Sequence, residues 1–249
     1  MEYLFSRASR SILKRLGGAR TLCAFDFDGT LSPIAAHPDQ AGMRDRTRNL
    51  LGSLAALYPC VIVSGRARAD LLRKLDGVKM TRVIGNHGAE TEAIARTSRR
   101  RVKRWQVAIE HELGPIPGLW VEEKGLSLAV HYRQCAGKAK VRRRILAASG
   151  KLPRVRVFGG KQVVNLTVDN APNKGGALAA ERDRLGCDWV LYVGDDENDE
   201  DAFALDGNIV AVRIGRKQSS HARYYLRTQA EVDTLLARLV LLRKPAATA

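Results

Sequence analysis

Apolar residues at the start of this chain fall into short unbroken runs, and the stretches between them place apolar side chains at helical intervals. Residues 21–26 form the first run, Cys60-Val61-Ile62-Val63 the second and Arg82-Val83-Ile84 the third. Short runs bounded by turn residues predict buried strands. Between the first two, Leu50, Leu51, Leu54 and Leu57 keep helical spacing across 44–57, and Tyr58-Pro59 ends that helix. A further helix is predicted from about Ala67. Strands that alternate with helices predict a parallel, doubly wound sheet, in which ligands bind beyond the carboxyl ends of the strands. The loops after all three strands therefore open on one edge.

From about residue 89 the pattern changes. A basic helix over 102–113 and a Gly/Pro loop over 114–118 lead to strand-like runs at 119–123 and 126–132. A helix over 138–148 and two more strand-like runs, 155–158 and 162–168, follow. Consecutive strands joined by short turns predict an antiparallel sheet with its helices on one face. Alternation then returns with a helix over 174–184, capped by Asn173 and closed by Gly186, and an apolar strand over 189–193. Strands at 209–214 and 224–226 and a last helix from Glu231 to about 242 complete the chain. The expected architecture is α/β: a doubly wound parallel-sheet (Rossmann-like) core from residues 1–88 and 169–249, with an inserted α+β cap domain over 89–168. Residues 1–16 mix apolar positions with Arg and Ser and predict an amphipathic docking helix.

Length and composition exclude several classes. At 249 residues the chain can bury one large core or two small ones. No apolar run approaches the roughly 18–20 residues that cross a bilayer, so no membrane partner is expected. Cys23, Cys60, Cys135 and Cys187 form no C-x-x-C pair and read as reduced core thiols of a cytoplasmic protein. The formal net charge of +16 changes the picture most, because such a field draws in anions: phosphate esters or nucleic acid. Its densest runs are 99–104 and Arg142-Arg143-Arg144. Aromatic content of 6% offers few stacking platforms for single strands, so a small anionic substrate is the expected partner rather than nucleic acid. Nothing in the sequence fixes the oligomeric state, and a monomer is the default expectation.

The candidate chemistry sits at the strand ends. Asp26 and Asp28 follow the first run at i and i+2, so both side chains leave the strand on one side and can converge. Two nearby carboxylates attract a hard cation, and Mg²⁺ suits a site that leaves coordination positions for water and substrate phosphate. One carboxylate can then attack phosphorus while the other handles protons. Ser64-Gly65 follows the second run and Lys174 opens a helix; both suit phosphate oxygens. Residues 195–201 hold six carboxylates in seven positions after a buried strand, among them Asp195, Asp196 and Asp199, and a loop this acidic points to a metal. In the expected cap, Glu122 and Lys124 share one strand face, and His131 and Arg133 share another.

These four loops, in this order, resemble the four-motif signature of the haloacid dehalogenase superfamily of phosphohydrolases. Finer motifs narrow the likeness to the trehalose-6-phosphate phosphatase family: D-G-T-L-S-P-I at 28–34, S-G-R at 64–66, G-N-H-G at 85–88, E-E-K-G at 122–125, H-Y-R at 131–133, N-K-G at 173–175 and G-D-D-E-N-D-E at 194–200. The resemblance implies a hydrolase in which Asp26 becomes an aspartyl phosphate while Asp28 protonates the leaving sugar oxygen and later activates water. It implies Mg²⁺ on Asp26, Asp195 and the Asp28 backbone carbonyl, with Asp196 and Asp199 alongside, and phosphate binding by Ser64, Gly65 and Lys174. Arg66, Asn86 and His87 in the core, with Glu122, Lys124, His131, Arg133 and Asn165 in the cap, would read the disaccharide. The chain departs from the family at Asn165, where a glutamate before a proline is usual, and at Asn198, where a threonine is usual. A phosphatase for another sugar or glycosyl phosphate therefore stays open, as does a basic nucleic-acid-binding protein on the same fold.

Overall fold

The computed structural model of the chain describes residues 1–35, 37–89 and 95–243. Its larger sheet has seven strands: β1 (Glu2–Tyr3), β2 (Thr21–Phe25), β3 (Cys60–Val63), β4 (Arg82–Ile84), β9 (Trp189–Gly194), β10 (Ile209–Ile214) and β11 (Tyr224–Leu226). They lie in the order β1-β11-β10-β9-β2-β3-β4, every pair parallel. The chain leaves β2 through β3 and β4 on one side and returns through β9 and β10 on the other, so the order reverses between β2 and β9. That reversal opens a crevice at the carboxyl ends of those two strands.

The unbroken apolar runs follow from burial on both faces. Cys23 and Phe25 pack into the layer of α1 (Arg10–Gly18), α2 (Asp45–Ala55), α3 (Arg68–Leu75) and α8 (Glu231–Arg243), through Leu16, Leu51, Leu71 and Leu236. Leu22 and Ala24 point the other way, to α6 (Lys174–Leu185) and α7 (Glu200–Phe203), where Leu178 and Phe203 are buried. Asn173 caps α6 by accepting from the Gly176 amide at 2.7 Å, and Gly186 ends the helix in the left-handed region, as the sequence predicts.

The amino-terminal segment departs from its prediction. Instead of one helix over 1–16, Glu2–Tyr3 adds a strand beside Tyr224–Tyr225, and the helix begins at Arg10. Leu4 is fully buried by that pairing, and the Tyr3 hydroxyl donates to Glu231 at 2.6 Å. Apolar spacing alone cannot separate a two-residue edge strand from a first helical turn; the free edge of β11 decides it.

The smaller sheet is antiparallel, in the order β5-β6-β8-β7: β5 (Trp120–Glu123), β6 (Ser127–His131), β8 (Val163–Val168) and β7 (Val155–Gly160). Helices α4 (Ala95–Leu113) and α5 (Lys138–Gly150) cover one face, where Trp105, Ile109 and Ile145 meet Leu128, Val130, Val164 and Leu166 in a separate core. The fold class is thus α/β with an additional antiparallel sheet. Residues 90–94, at the expected entry to the cap, lie outside the described residues. Register fixes what the second face of the sheet carries. Trp120 pairs with His131, Glu122 with Ala129, Ala129 with Asn165 and Phe158 with Asn165, so these side chains share the face away from the helices. Lys103 and Arg104 of the basic run, by contrast, are exposed on α4, on the far side of the sheet from that face.

Candidate active site

A cavity opens between the carboxyl edge of the large sheet and the polar face of the small one. From the core it is lined by Asp26, Asp28, Ser64, Gly65, Arg66, His87, Asp195 and Asp196. Trp120, Glu122, Lys124, His131, Arg133, Lys161 and Asn165 line it from the other side. Its solvent-accessible interior is about 160 Å³.

Lys174 is the central cation. It opens α6 from beneath the floor, almost fully buried, with Nζ 3.0 Å from Asp26 and 2.7 Å from Asp199. Burial on its own would lower its pKa, but the two carboxylates outweigh burial and raise it. Asp199 is held by four donors: Lys174, the Tyr192 hydroxyl at 2.7 Å, and the amides of Asp195 and Asp196 at 2.8 and 2.9 Å. Burial opposes its ionisation, yet Lys174 and these hydrogen bonds hold its carboxyl below the usual range. Asp26 lacks that support. Burial, followed by Asp199, Asp195 and Asp28, pushes its pKa well up against the pull of Lys174. Asp195 rises to about 6, chiefly through burial, despite its ion pair with Lys161.

Asp26, Asp195 and Asp199 bring one carboxylate oxygen each to within 4.8 Å of one another, all buried. An all-oxygen, all-anionic donor set of this kind fits a hard divalent cation. Asp196 stands outside that trio. Its carboxylate accepts from the Glu197 and Lys161 amides at 2.8 and 2.9 Å and caps the short turn of 197–199. Arg213 steadies the same loop by donating to the Asp195 and Asp196 carbonyls at 2.9 and 3.0 Å. Gly29 has a positive φ of 78° where a Cβ would run into the Asp195 carboxylate, so the β2 loop can approach this cluster only with glycine there.

The other expected site residues divide into those facing the cavity freely and those already engaged. Ser64 is buried on the β3 loop, its hydroxyl accepting from the Arg66 amide at 3.3 Å. The Arg66 guanidinium is committed to Asp28 and Asp70. Asn86 accepts the Ser127 hydroxyl at 2.8 Å and so ties the core to the small sheet. Arg133 donates to the Ala35 and Lys161 carbonyls at 3.3 and 3.2 Å. His87, in the left-handed region at φ 58°, is buried, and among the described residues neither ring nitrogen meets a partner in good hydrogen-bond geometry, although the Asn165 side chain lies close enough to interact. Burial, reinforced by Lys124 and Lys174, outweighs the Asn165 side chain and holds its pKa well down, so a neutral imidazole lines the cavity. Glu122 bonds His131 Nε2 at 2.9 Å and lies 3.4 Å from Lys124. Burial would raise Glu122, but His131 and Lys124 hold it at about 2. Burial lowers His131 despite that carboxylate, and its ring stacks on Trp120 with centroids 3.8 Å apart. Asn165 is buried at the centre of the same face.

Sequence reasoning missed Lys161, Arg156, Trp120 and Tyr192. Lys161 sits in the tight Gly-Gly-Lys-Gln turn between β7 and β8, and a basic residue at such a tip is a legible signal. Arg156 pairs with Asp201 and so ties β7 to α7. Tyr192 lies inside an apolar strand and gives no sign of its carboxylate partner.

A family model described as trehalose-phosphatase matches residues 24–227, spanning every one of these site loops. The chain belongs to the trehalose-phosphatase family. Among curated members of this trehalose-phosphatase family, a trehalose-phosphate phosphatase of Mycobacterium ulcerans is 32% identical over 238 residues, which cover 86% of this chain and 60% of that protein. A probable trehalose-phosphate phosphatase 9 of Oryza sativa is 28% identical over 264 residues, covering 90% of this chain and 70% of its own. This trehalose-phosphatase chain thus spans well under the full length of these relatives. The solved C-terminal domain of a Candida albicans trehalose-6-phosphate phosphatase superposes with a TM-score of 0.80 over 93% of this chain and 96% of that one; at 22% identity the likeness is one of fold.

Proposed function

We propose that the chain is a Mg²⁺-dependent phosphatase that hydrolyses trehalose 6-phosphate to trehalose and phosphate through an aspartyl phosphate on Asp26. One observation carries the reading. A buried carboxylate beside a buried lysine, Asp26 and Lys174 at 3.0 Å, opens into the same cavity as a sheet face bearing Glu122, Lys124 and His131. Phosphate chemistry is thereby apposed to groups suited to sugar hydroxyls. His87 adds support, because a buried imidazole facing the cavity, with only the Asn165 side chain beside it as a partner among the described residues, has capacity for a ligand with hydrogen-bonding groups.

In this reading Asp26 attacks phosphorus, and Ser64, the Gly65 backbone and Lys174 bind the phosphoryl oxygens, whose charge a preorganised lysine stabilises. Asp28 gives a proton to the departing sugar oxygen and takes one from the water that resolves the intermediate. Asp26 and Asp195, with the Asp28 carbonyl, would hold Mg²⁺; Asp199, the third carboxylate of the trio, already accepts from four donors and would, with Asp196, keep that loop in place. When bound, the ion would offset negative charge on the phosphoryl group and the carboxylates. Residues 89–168 act as the cap over a core of 1–88 and 169–249. The substrate is a free small molecule, the working form is a monomer, and the buried free cysteines suit the reducing cytoplasm.

A second reading keeps the chemistry and changes the sugar. It rests on Asn165, which puts a neutral amide at the centre of the sugar-facing sheet where the family usually has a carboxylate. Phosphate release from a panel of sugar phosphates, with and without a chelator, tests both. Trehalose 6-phosphate should be the fastest substrate and the chelator should abolish turnover. Asp26→Asn, which keeps shape and removes the attacking charge, should lose roughly 10⁴-fold or more. A different sugar phosphate turned over faster would select the second reading, and Asp26→Asn activity within tenfold of the unmodified chain would remove Asp26 from its role.

A further inference from the structure

Arg66 lies in the cavity wall with its donors already taken. Nε donates to Asp28 Oδ2 at 2.7 Å and one terminal nitrogen to Asp28 Oδ1 at 2.8 Å, a two-point fork across the carboxylate. That same nitrogen reaches the Pro38 carbonyl at 2.8 Å, and the other reaches Asp70 at 2.6 Å. Four of the five N–H groups of a guanidinium are thus engaged within the protein. Its backbone amide is held by Ser64, and the Phe27 ring lies 5.6 Å from its central carbon.

Asp28, in contrast, stands on a loop just past the strand end and is partly exposed. Among the described residues, no side chain other than Arg66 hydrogen-bonds its carboxylate. We infer that Arg66 is a positioning residue for Asp28, braced from behind by Asp70, rather than a reader of the sugar. Each Asp28 oxygen keeps a second lone pair, so the fork orients the group without occupying its place for a proton. Asp70 lies at i+4 from Arg66 and fixes the guanidinium plane, while the Pro38 carbonyl closes the remaining side. The arrangement ties two points of the β2–α2 connection and the first turn of α3 to a single guanidinium. A lysine could replace the charge but not the planar fork. The inference rests on the reading of Asp28 as the proton donor to the leaving oxygen.

Leaving groups supply the test, because a basic alkoxide needs a well-placed acid and a p-nitrophenolate hardly does. The first half-reaction of the Mg²⁺-loaded protein is followed by rapid quench on a sugar-free series: a simple alkyl phosphate, phenyl phosphate and p-nitrophenyl phosphate. Arg66→Lys is expected to lose on the order of 10²-fold on the alkyl ester and at least about tenfold less on the p-nitrophenyl ester, since misplacing a catalytic group by an ångström costs about that much. Asp70→Asn, which leaves the fork but removes its brace, should show the same direction at smaller size. Equal losses across the series would assign Arg66 a merely structural role. A change seen only as a raised KM for sugar phosphates would return it to sugar reading, and either result overturns the inference. Asp28→Asn in the same series separates the two ideas. If it shows no leaving-group dependence, the role of Asp28 itself fails and takes the inference with it; if it does and Arg66→Lys does not, the inference fails alone.

Discussion

Lys174→Met removes the cation that two buried carboxylates share while keeping most of the stem that packs beneath the site. Nζ lies 3.0 Å from Asp26 and 2.7 Å from Asp199, and the three side chains are 1%, 6% and 0% exposed. Water cannot screen the charges that remain, so the loss resembles the breaking of a buried ion pair, about 3–5 kcal/mol. With an unfolding entropy near 2.1 cal/mol/K per residue over this length, about 2 °C of Tm accompanies each kcal/mol, and Tm should fall by roughly 6–10 °C. The sign with pH is fixed. Because the folded pKa of Lys174 is raised, its stabilisation is complete below the ordinary lysine value and is lost only as pH rises through the folded one, so the full deficit appears at neutral pH. Adding Asp199→Asn should return part of the lost stability, because one uncompensated anion disappears, but no activity. Millimolar Mg²⁺ should raise the Tm of Lys174→Met more than that of the unmodified chain, since a cation then meets two carboxylates that have lost their counter-charge. Turnover of trehalose 6-phosphate and of p-nitrophenyl phosphate should both drop by about 10²–10³-fold or more. Thermal unfolding by circular dichroism and phosphate release measure the two effects. A Tm within about 2 °C of the unmodified chain, or near-normal hydrolysis of the aryl ester, would refute the view that Lys174 balances this cluster.

Two further outcomes separate the sheet face from the core. Glu122→Ala, Lys124→Ala and His131→Ala should each lose kcat/KM on trehalose 6-phosphate by about 10–10³-fold while hydrolysing p-nitrophenyl phosphate almost normally, because remote contacts position the larger substrate; equal loss on both esters in folded variants would deny the sugar-reading role. Glu122, held at about 2 against an ordinary 4.5, contributes stability that is present above the ordinary value and lost as pH falls through the folded one. The stability gap between the unmodified chain and Glu122→Gln should therefore shrink by up to about 2 kcal/mol between pH ~4.5 and pH ~3 in urea melts, a gap independent of pH being the contrary result.

The sequence by itself determined the layers and the strand ends at which the candidate site lies. The short apolar runs within 21–26, 60–63 and 189–193, bounded by turn residues, predicted strands buried on both faces, and at the end of each a carboxylate or hydroxyl follows. Asn173 and Gly186 marked α6 to the residue because caps are local chemistry, set by neighbours in the chain. The alternation of the 119–168 segment likewise forecast which way Glu122 and His131 point, since the pleat has a period of two, whereas Lys124 and Arg133 lie just past the ends of β5 and β6. Only the tertiary structure decided what those side chains meet. Arg66 and Asn86 carry the same residue types whether they read a sugar or brace a neighbour, and the choice depends on Asp28, Asp70 and Ser127, as many as 41 chain positions away. Tyr192 and Lys161 join the acidic cluster from an apolar strand and a hairpin tip, and Glu2–Tyr3 becomes a strand because β11 offers a free edge. The physical reason is the same in each case. Propensity and periodicity act over a few residues, whereas hydrogen-bond and charge partners across a site are fixed by how distant elements pack, and packing is not written in any one stretch of the chain.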